Sequence, residues 1–133
     1  MSGVVEITQE ENAIAKIVFE SAQEVHKALG PGLLESAYRD CLEYELKLRG
    51  LDVEHEVTLP LTYKTLSIGN AFRLDLWVNR KVIIELKAVA DIEPVCFSQL
   101  NTYLKLTNCN LGLLVNFNVR YIGEGFHRWV VAK

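Results

Sequence analysis

Three charged side chains, Asp75, Glu85 and Lys87, stand in a stretch whose pattern otherwise predicts the strands of a sheet. Residues 72–78 alternate between apolar and polar side chains, and residues 82–84 are uniformly apolar, which is typical of a strand covered above and below. A covered strand seldom carries unpaired charge, because burying an unpaired ion costs several kcal/mol. Two carboxylates can hold a hard divalent cation, and a lysine beside them can orient or deprotonate a water molecule.

The relative orientation of these three side chains depends on the turn between the two strands. Glu85 and Lys87 are two positions apart, so they project from the same face. Asp75 shares that face only if the turn has an odd number of residues or a bulge intervenes. A three-residue loop at residues 79–81 places Asp75 opposite Glu85. From these residues alone an amphipathic hairpin with surface ion pairs is an equal alternative, because charged alternation is common on sheets.

A fourth acidic residue, Glu35, is predicted in the first turn of the second of two helices that precede the strands. A capping box from Thr8 to Glu11 begins the first helix, which runs to about Leu29 and ends at a Gly-Pro-Gly turn. The helix dipole favours a negative charge at the position of Glu35, which explains this residue without any function.

The second helix is predicted to end near Arg49, before Gly50. Glu35 and Tyr38 are three residues apart, so one turn of this helix presents a carboxylate and a phenol together. Helical spacing assigns the following side chains to its inward face: Leu34, Ala37, Cys41, Tyr44 and Leu48.

The remaining pattern predicts an α/β fold of one domain over residues 1–133. Residues 53–68 alternate as strands, with Pro60 indicating an edge position or a break and with a turn at Gly69 and Asn70. Glu93 and Pro94 open a third helix, followed by a buried strand at residues 111–117 and a last strand at residues 126–131. The third helix directs these side chains inward: Cys96, Gln99, Leu100, Tyr103 and Leu104.

Charge is distributed unevenly along the 133 residues, whose net charge is −3. Residues 1–60 contain twelve acidic and five basic residues, and residues 61–133 contain five acidic and nine basic residues. The acidic total argues against a general polyanion-binding protein. The basic second half, which would become more positive with a cation at Asp75 and Glu85, suits a surface that faces phosphate groups. Solvated helix faces produce the same asymmetry.

Neither a membrane segment nor a secretion signal is expected from the sequence. No apolar run reaches the roughly 18 residues of a membrane span, and the amino terminus lacks a basic region followed by an apolar stretch. Cys41, Cys96 and Cys109 are odd in number and widely spaced, so they fit neither a disulfide framework nor a zinc motif. These features predict a cytoplasmic protein with reduced thiols.

Residues 32–38, with the sequence GLLESAY, match the pattern that names the GxxExxY protein family. This resemblance extends over about residues 14–119, and the family resembles a compact branch of the PD-(D/E)XK nuclease superfamily. The superfamily motif is matched by Asp75, followed by Glu85, Leu86 and Lys87, although Leu74 stands where the motif nominally has proline. The resemblance implies a restriction-endonuclease-like core of helix, three strands, helix and strand, with an additional N-terminal helix.

Two further elements of the superfamily pattern are matched. A glutamate on the helix before the sheet corresponds to Glu35, and a glutamine with a tyrosine four residues later corresponds to Gln99 and Tyr103. The short motif around Glu85 is a weak signal by itself. The four elements together, in the expected order and on the expected secondary structures, are a specific one.

The resemblance implies a role for each of these residues. Asp75 and Glu85 would bind Mg²⁺ or Mn²⁺, with the Leu86 carbonyl as a further ligand, and Lys87 would position the attacking water. Glu35 would complete the metal shell or hold a water on the metal. The two remaining residues, Gln99 and Tyr103, would orient the lysine or contact the phosphate backbone.

A metal-dependent nuclease that hydrolyses phosphodiester bonds, with DNA favoured over RNA as its partner, is the function that these roles imply. Two alternatives stay open: a nuclease fold that has lost catalysis and serves for binding or assembly, and a small oligomeric protein with a structural polar hairpin. The acidic total and small size lead us to expect that an active form is a homodimer or gains affinity from a protein partner.

Overall fold

The computed structural model describes residues 5–133, which contain four helices and five strands. The helices are α1 (Gln9–Leu29), α2 (Glu35–Leu48), α3 (Pro94–Thr107) and the single turn α4 (Ile122–Gly125). The strands are β1 (Val53–Tyr63), β2 (Leu66–Val78), β3 (Val82–Lys87), β4 (Leu111–Asn116) and β5 (Phe126–Val130). The predicted α/β core of helix, three strands, helix and strand is confirmed, with α1 in addition. Residues 1–4, which begin the terminus predicted to lack a secretion signal, lie outside the described residues.

The five strands form one mixed sheet in chain order, from β1 at one edge to β5 at the other. The first three strands pair antiparallel as a meander. Helix α3 then crosses over so that β4 pairs parallel with β3, and β5 returns antiparallel to β4. A parallel neighbour requires such a crossover, which explains why a helix separates the third and fourth strands.

Apolar side chains form one core on each side of the sheet. Helices α1 and α2 cover the first core, whose buried residues include Val18, Leu42, Ile84, Val115 and Phe117. Helix α3 covers the second core, whose buried residues include Leu74, Trp77, Ile83, Leu100 and Leu104. Strand β3 contributes to both cores, so the prediction that it is covered on both faces is confirmed. The charged end of β3 is therefore held by a rigid central strand.

Local sequence signals fix the start of two helices as predicted. At the start of α1, Thr8 Oγ1 accepts a hydrogen bond from the Glu11 amide at 3.1 Å, and the Glu11 carboxylate accepts one from the Thr8 amide at 2.8 Å. Pro94 occupies the first turn of α3, where the amide it lacks would have no helical partner. Both helices thus begin where these signals predict.

The inward face predicted for α2 is wrong by about one position. The buried side chains of this helix are Tyr38, Leu42, Glu43 and Leu46. Three predicted inward residues, Leu34, Tyr44 and Leu48, are instead 77%, 66% and 65% exposed. The apolar band of this helix is broad and includes the exposed Tyr44 and Leu48 as well as the buried Leu42 and Leu46, so its periodicity alone does not select the buried side.

The turn predicted at Gly69 and Asn70 is also wrong, because both residues lie within β2. The chain reverses instead at Lys64 and Thr65, with Lys64 in the left-handed region at φ 53°. Pro60 lies on the edge strand β1, as predicted, where the pairing with β2 shifts register between Leu59 and Leu61. Proline has no amide to donate, and the bulge accommodates it without ending the strand.

None of the helices in residues 5–133 has the length and apolar character needed to cross a membrane.

Candidate active site

The loop between β2 and β3 has the three residues that the sequence predicts. Val78 pairs with Val82, and the Lys81 amide donates to the Val78 carbonyl at 2.9 Å. Asn79 and Arg80 adopt left-handed backbone angles, φ 51° and 55°, which close the turn. The odd loop length sets the register for every residue pair farther along the two strands, including the position of Asp75 relative to Glu85.

Asp75 and Glu85 lie where the backbone pairing of β2 and β3 ends, one position beyond the last pair, Leu76 and Ile84. Beyond that pair, the side chains of Asp75 and Glu85 form the hydrogen bonds between the two strands. The Asp75 amide donates to Glu85 Oε2 at 3.0 Å, and the Leu86 amide donates to Asp75 Oδ2 at 2.9 Å. Each carboxylate is therefore fixed by a main-chain donor of the opposite strand and retains its second oxygen for a ligand.

Burial and mutual repulsion dominate the electrostatics of this pair. The Glu85 side chain is buried, and its burial together with the charge of Asp75 raises the pKa of Glu85 to about 8. Burial also raises the pKa of Asp75, against the opposing effects of the Leu86 amide and the Lys87 charge. Two acidic groups that resist ionisation at one place create a site that a cation would stabilise.

Lys87 follows Glu85 by two positions on β3 and lies beside the carboxylates without pairing to them. Its charge lowers the pKa of Glu35, Asp75 and Glu85. Among residues 5–133, however, no ion pair within 4.0 Å includes Lys87. The ammonium group is thus free of a direct carboxylate contact within the described residues.

Glu35 is the first residue of α2, and its carboxylate is close enough to Asp75 and Lys87 to interact with their charges. Glu35 is an exposed residue, but its partial desolvation and the charge of Asp75 raise its pKa, and the charges of Lys87, Arg39 and Arg73 oppose this shift. Nevertheless, no group of three or more His, Cys, Asp or Glu side chains in the described part of the chain is arranged to hold a metal ion. Glu35 is accordingly an outlying member, and the close carboxylate pair is Asp75 with Glu85.

The predicted pair on α3 divides between two environments. Tyr103 is partly buried, its ring stacks on Phe72 at 5.1 Å between centroids, and burial with the charges of Glu85 and Asp75 raises the pKa of its phenol. Gln99 lies one turn earlier and is exposed, so its predicted inward orientation is wrong. Tyr103 borders the carboxylates, whereas the role predicted for Gln99 requires a ligand outside the protein.

Leu86 takes part through its main chain alone, because its side chain is fully buried in the first core. Its amide already donates to Asp75. The use of its carbonyl as a metal ligand stays a prediction.

Tyr38, the phenol predicted to accompany Glu35, faces the core instead. Its side chain is fully buried and stacks on Phe117 with ring centroids 4.5 Å apart. Its hydroxyl donates to the Gly30 carbonyl and accepts from the Leu33 amide. Tyr38 therefore fixes the turn that leads into Glu35, and its role is structural.

Sequence reasoning missed Asn116, which holds the chain just beyond Lys87. This side chain is 3% exposed, and its amide group forms two hydrogen bonds with Val89: it accepts from Val89 N at 3.1 Å and donates to Val89 O at 2.9 Å. Asn116 also pairs with Lys87 across β3 and β4. The only signal in the sequence is a polar residue that ends the apolar run of β4.

The donor set suits a hard divalent cation. Both proposed ligands are carboxylates, each with one oxygen held by an amide and one oxygen not used in the hydrogen bonds within residues 5–133. Mg²⁺ is typically bound by one or two protein carboxylates together with water and phosphate oxygens, which matches this arrangement. A bound cation would also offset the repulsion that raises the pKa of Glu85.

Comparison with protein families matches residues 12–129 to the PD-(D/E)XK nuclease superfamily. The chain belongs to this superfamily. Its sheet and flanking helices have the restriction-endonuclease-like fold, and a nuclease-type function follows from the membership. PD-(D/E)XK nucleases generally use divalent metal ions and act on nucleic acids. Searches of curated proteins and of solved structures gave no match.

Proposed function

We propose that this PD-(D/E)XK protein is a Mg²⁺- or Mn²⁺-dependent nuclease that hydrolyses phosphodiester bonds, with DNA as its substrate. The observation that carries the proposal is the crossed bonding of Asp75 and Glu85 at the end of the β2–β3 pairing, with Lys87 two residues farther along β3. This arrangement provides a charge clamp and a free ammonium group side by side, and phosphodiester hydrolysis requires little more.

Each proposed residue has a distinct part in the reaction. A divalent cation at Asp75 and Glu85, with the Leu86 carbonyl as a further ligand, would supply positive charge that polarises the phosphoryl oxygens. Lys87 orients the attacking water and stabilises the negative charge that develops on the phosphate. Glu35 stands outside the close ligand pair, which favours its holding a water molecule of the metal shell.

Gln99 and Tyr103 are proposed to act on the substrate side of the site. Tyr103 lies within the field of both carboxylates, and its phenol can donate a hydrogen bond to a phosphate oxygen or restrain Lys87. The exposed Gln99, one helical turn away, can reach a backbone phosphate that runs along α3.

We also assign the chain to the GxxExxY family, and the structure of the motif supports this assignment. Gly32 adopts φ 106°, a left-handed angle that favours glycine. Glu35 begins α2, and Tyr38 closes the preceding turn through its hydroxyl. The residue types of Gly32, Glu35 and Tyr38 thus each have a separate structural explanation.

A cleavage assay tests the proposed function. Labelled single-stranded DNA, double-stranded DNA and RNA are incubated with the protein in Mg²⁺, in Mn²⁺ and in chelator, with Lys87→Ala beside it. Lys81→Ala is the matched control, because Lys81 is an exposed lysine of the same hairpin.

We expect cation-dependent cleavage of DNA by the parent and by Lys81→Ala, and none by Lys87→Ala. Equal cleavage by parent and Lys87→Ala would assign the activity elsewhere. A parent that binds DNA without cutting any substrate in either cation would contradict catalysis and favour a nuclease fold used for binding.

A further inference from the structure

Two arginines next to the candidate active site share a single carboxylate. Arg39 on α2 places Nη2 3.6 Å from Glu56 Oε1, and Arg73 on β2 places Nη1 3.2 Å from Glu56 Oε2. Glu56 lies on β1 between residues that pair with β2 on either side of Asp75. The side chains of Arg39, Arg73 and Glu56 therefore form a cluster on the part of the edge strand that lies beside Asp75. We refer to Arg39 and Arg73 as the arginine pair.

Both arginines lie close to the acids of the site in the sequence and in space. Arg39 follows Glu35 by four residues, so both lie on one side of α2, and Arg73 precedes Asp75 by two residues on β2. The charges of both guanidinium groups act on the carboxylates of Glu35 and Asp75. The arginine pair is thus within electrostatic reach of any phosphate that binds beside the cation.

The hydrogen-bonding capacity of these guanidinium groups is largely unused. Arg39 Nη2 donates one long hydrogen bond to Asp40 Oδ1 at 3.5 Å, whereas Arg39 Nε is a buried donor without a hydrogen-bond partner among residues 5–133. A neighbouring pair shows what a completed contact looks like: Arg80 donates twice to Glu54, at 2.6 and 2.7 Å. Glu56 holds both arginines more loosely and by one oxygen each.

The backbone of Glu56 also departs from a regular strand. Its φ is 48°, a left-handed angle that residues other than glycine rarely adopt within a strand. The neighbouring pairs, His55 with Leu76 and Val57 with Leu74, keep their register on both sides. This local conformation places the Glu56 carboxylate between the two arginines.

We propose that Arg39 and Arg73 form a phosphate-binding site for a backbone phosphodiester of the nucleic-acid substrate, adjacent to the phosphate that is cleaved. The proposal rests on the nuclease function proposed above. Guanidinium groups match the geometry of phosphate oxygens and bind them through paired hydrogen bonds. Glu56 contacts both groups loosely in the absence of substrate and is displaced by a phosphate, whose oxygens can accept paired hydrogen bonds from both guanidinium groups.

The test measures DNA binding by the full chain carrying Lys87→Ala, so that cleavage does not interfere. Affinity for a labelled duplex and for a single strand is measured at several salt concentrations, with Arg39→Gln, Arg73→Gln and Glu56→Gln added in turn. Arg49→Gln is the matched control, because Arg49 follows directly after α2 and pairs with Glu20 and Glu45 instead.

We expect Arg39→Gln and Arg73→Gln each to weaken binding irrespective of DNA sequence and to lower the slope of log affinity against log salt by about 0.7 to 0.9. Glu56→Gln keeps the size of the side chain and removes the competing charge, so it should tighten binding. The control Arg49→Gln should leave the salt slope unchanged.

The lysine substitutions Arg39→Lys and Arg73→Lys provide a second measurement if a glutamine variant does not fold. They keep the charge and lose the paired hydrogen bonds, so they should retain the salt slope and still bind more weakly than the parent. Affinities and slopes of both arginine variants equal to those of Arg49→Gln would overturn the proposal, as would weaker binding by Glu56→Gln.

Cleavage and binding by the parent distinguish a failure of this proposal from a failure of the proposed function. If the parent cleaves DNA while the arginine variants bind as tightly as the control, the phosphate site is wrong and the nuclease stands. If the parent neither binds nor cleaves nucleic acid, both proposals are overturned.

Discussion

Asp75 and Glu85 are bonded crosswise: the amide of Asp75 donates to Glu85 Oε2 at 3.0 Å, while Asp75 Oδ2 accepts from the amide of Leu86 at 2.9 Å. The two side chains replace the ladder bonds that β2 and β3 would otherwise form at this point. They are therefore part of the sheet as well as a candidate ligand pair. Substitutions that keep the acceptor and remove the charge separate these two roles.

Asp75→Asn is expected to abolish the response to a cation without destabilising the metal-free protein. The asparagine carbonyl can still accept from the Leu86 amide, and the repulsion with Glu85 disappears. The parent should melt at a higher temperature in Mg²⁺ or Mn²⁺, with a gain of roughly 2.7 kcal/mol at about 100 times the dissociation constant. Melting curves of both proteins in chelator and in saturating cation measure this.

A salt-bridged structural hairpin makes the opposite prediction for the same experiment. Asp75 would then stabilise the fold through Lys87, so Asp75→Asn would lower the melting temperature in chelator. Neither protein would respond to the cation. A parent curve that is indifferent to Mg²⁺ and Mn²⁺ would count against a resident metal site.

The metal-free parent is expected to lose stability as pH rises from about 4.5 to about 8, because of Glu85. Its pKa in the folded protein is about 8, against an ordinary value of 4.5. The folded state therefore binds this proton more tightly than the unfolded state, and the advantage is complete below pH 4.5 and lost above pH 8. Glu85→Gln keeps the side-chain size and removes this dependence.

Denaturant unfolding of parent and Glu85→Gln in chelator across this pH range provides the measurement. Glu24→Gln, which removes an exposed acid of α1, is the control and should follow the parent. A constant difference in stability between parent and Glu85→Gln at all pH values would show that Glu85 is not held protonated by its surroundings.

Much of the scaffold of the site could be predicted because it depends on neighbouring residues. The capping box of Thr8 and Glu11 and the three-residue loop between Val78 and Val82 are local choices of hydrogen bonding and turn geometry. The loop length then carries the register to Asp75 and Glu85. The roles assigned to these residues stay predictions.

The environment of Asp75 could not be predicted from alternation alone. Leu76 and Val78 belong to the core under α1 and α2, whereas Leu74 and Phe72, of the same parity, belong to or pack against the core under α3. Alternate side chains of β2 therefore change from one core to the other at Asp75. Glu56, which lies opposite this point on β1, has the left-handed backbone angle φ 48°, and a period-two pattern of apolar residues contains no signal for such a local departure.

Contacts between segments that are far apart in the chain could not be predicted from the sequence either. The sequence pattern indicates only that Glu56 is a polar residue of an edge strand and that Arg39 is a charged residue of a helix. Their contact joins α2 to β1 and depends on which side of α2 is buried. Because the apolar band of that helix is broader than its buried face, the inward face predicted from the sequence was wrong by about one position.

Tyr38→Phe is expected to destabilise the protein by about 1–3 kcal/mol, since it leaves the Gly30 carbonyl and the Leu33 amide without the hydroxyl that joins them. Tyr44→Phe, on the exposed side of the same helix, should change stability by less than about 0.5 kcal/mol. Denaturant unfolding compares the two variants. Equal stability of both would show that the tyrosine of the GxxExxY pattern is not held for its turn contacts.

Asn116→Asp is expected to loosen the chain beyond Lys87. The side chain is buried, and its amide donates to the Val89 carbonyl while accepting from the Val89 amide. Aspartate keeps the acceptor and loses the donor, so the Val89 carbonyl loses its partner and a charge is placed at the buried position 116. The free energy of unfolding at pH 7 should fall by about 1–3 kcal/mol.

Acid should partly reverse the Asn116→Asp defect, and this separates a lost donor from a general packing error. Burial favours the neutral carboxylic acid against the opposing effects of the Val89 and Asn118 amides and of the Lys87 charge, so the folded variant binds a proton more tightly than its unfolded state. Its stability deficit relative to the parent should shrink as pH falls, because the protonated group can donate to Val89 again. Asn118→Asp, at an exposed position two residues away, serves as the control and should show neither the deficit nor the recovery. Unfolding curves of the three proteins at pH 5 and pH 7 would decide the matter, and a deficit that is absent, or that is identical at both pH values, would contradict the role assigned to Asn116.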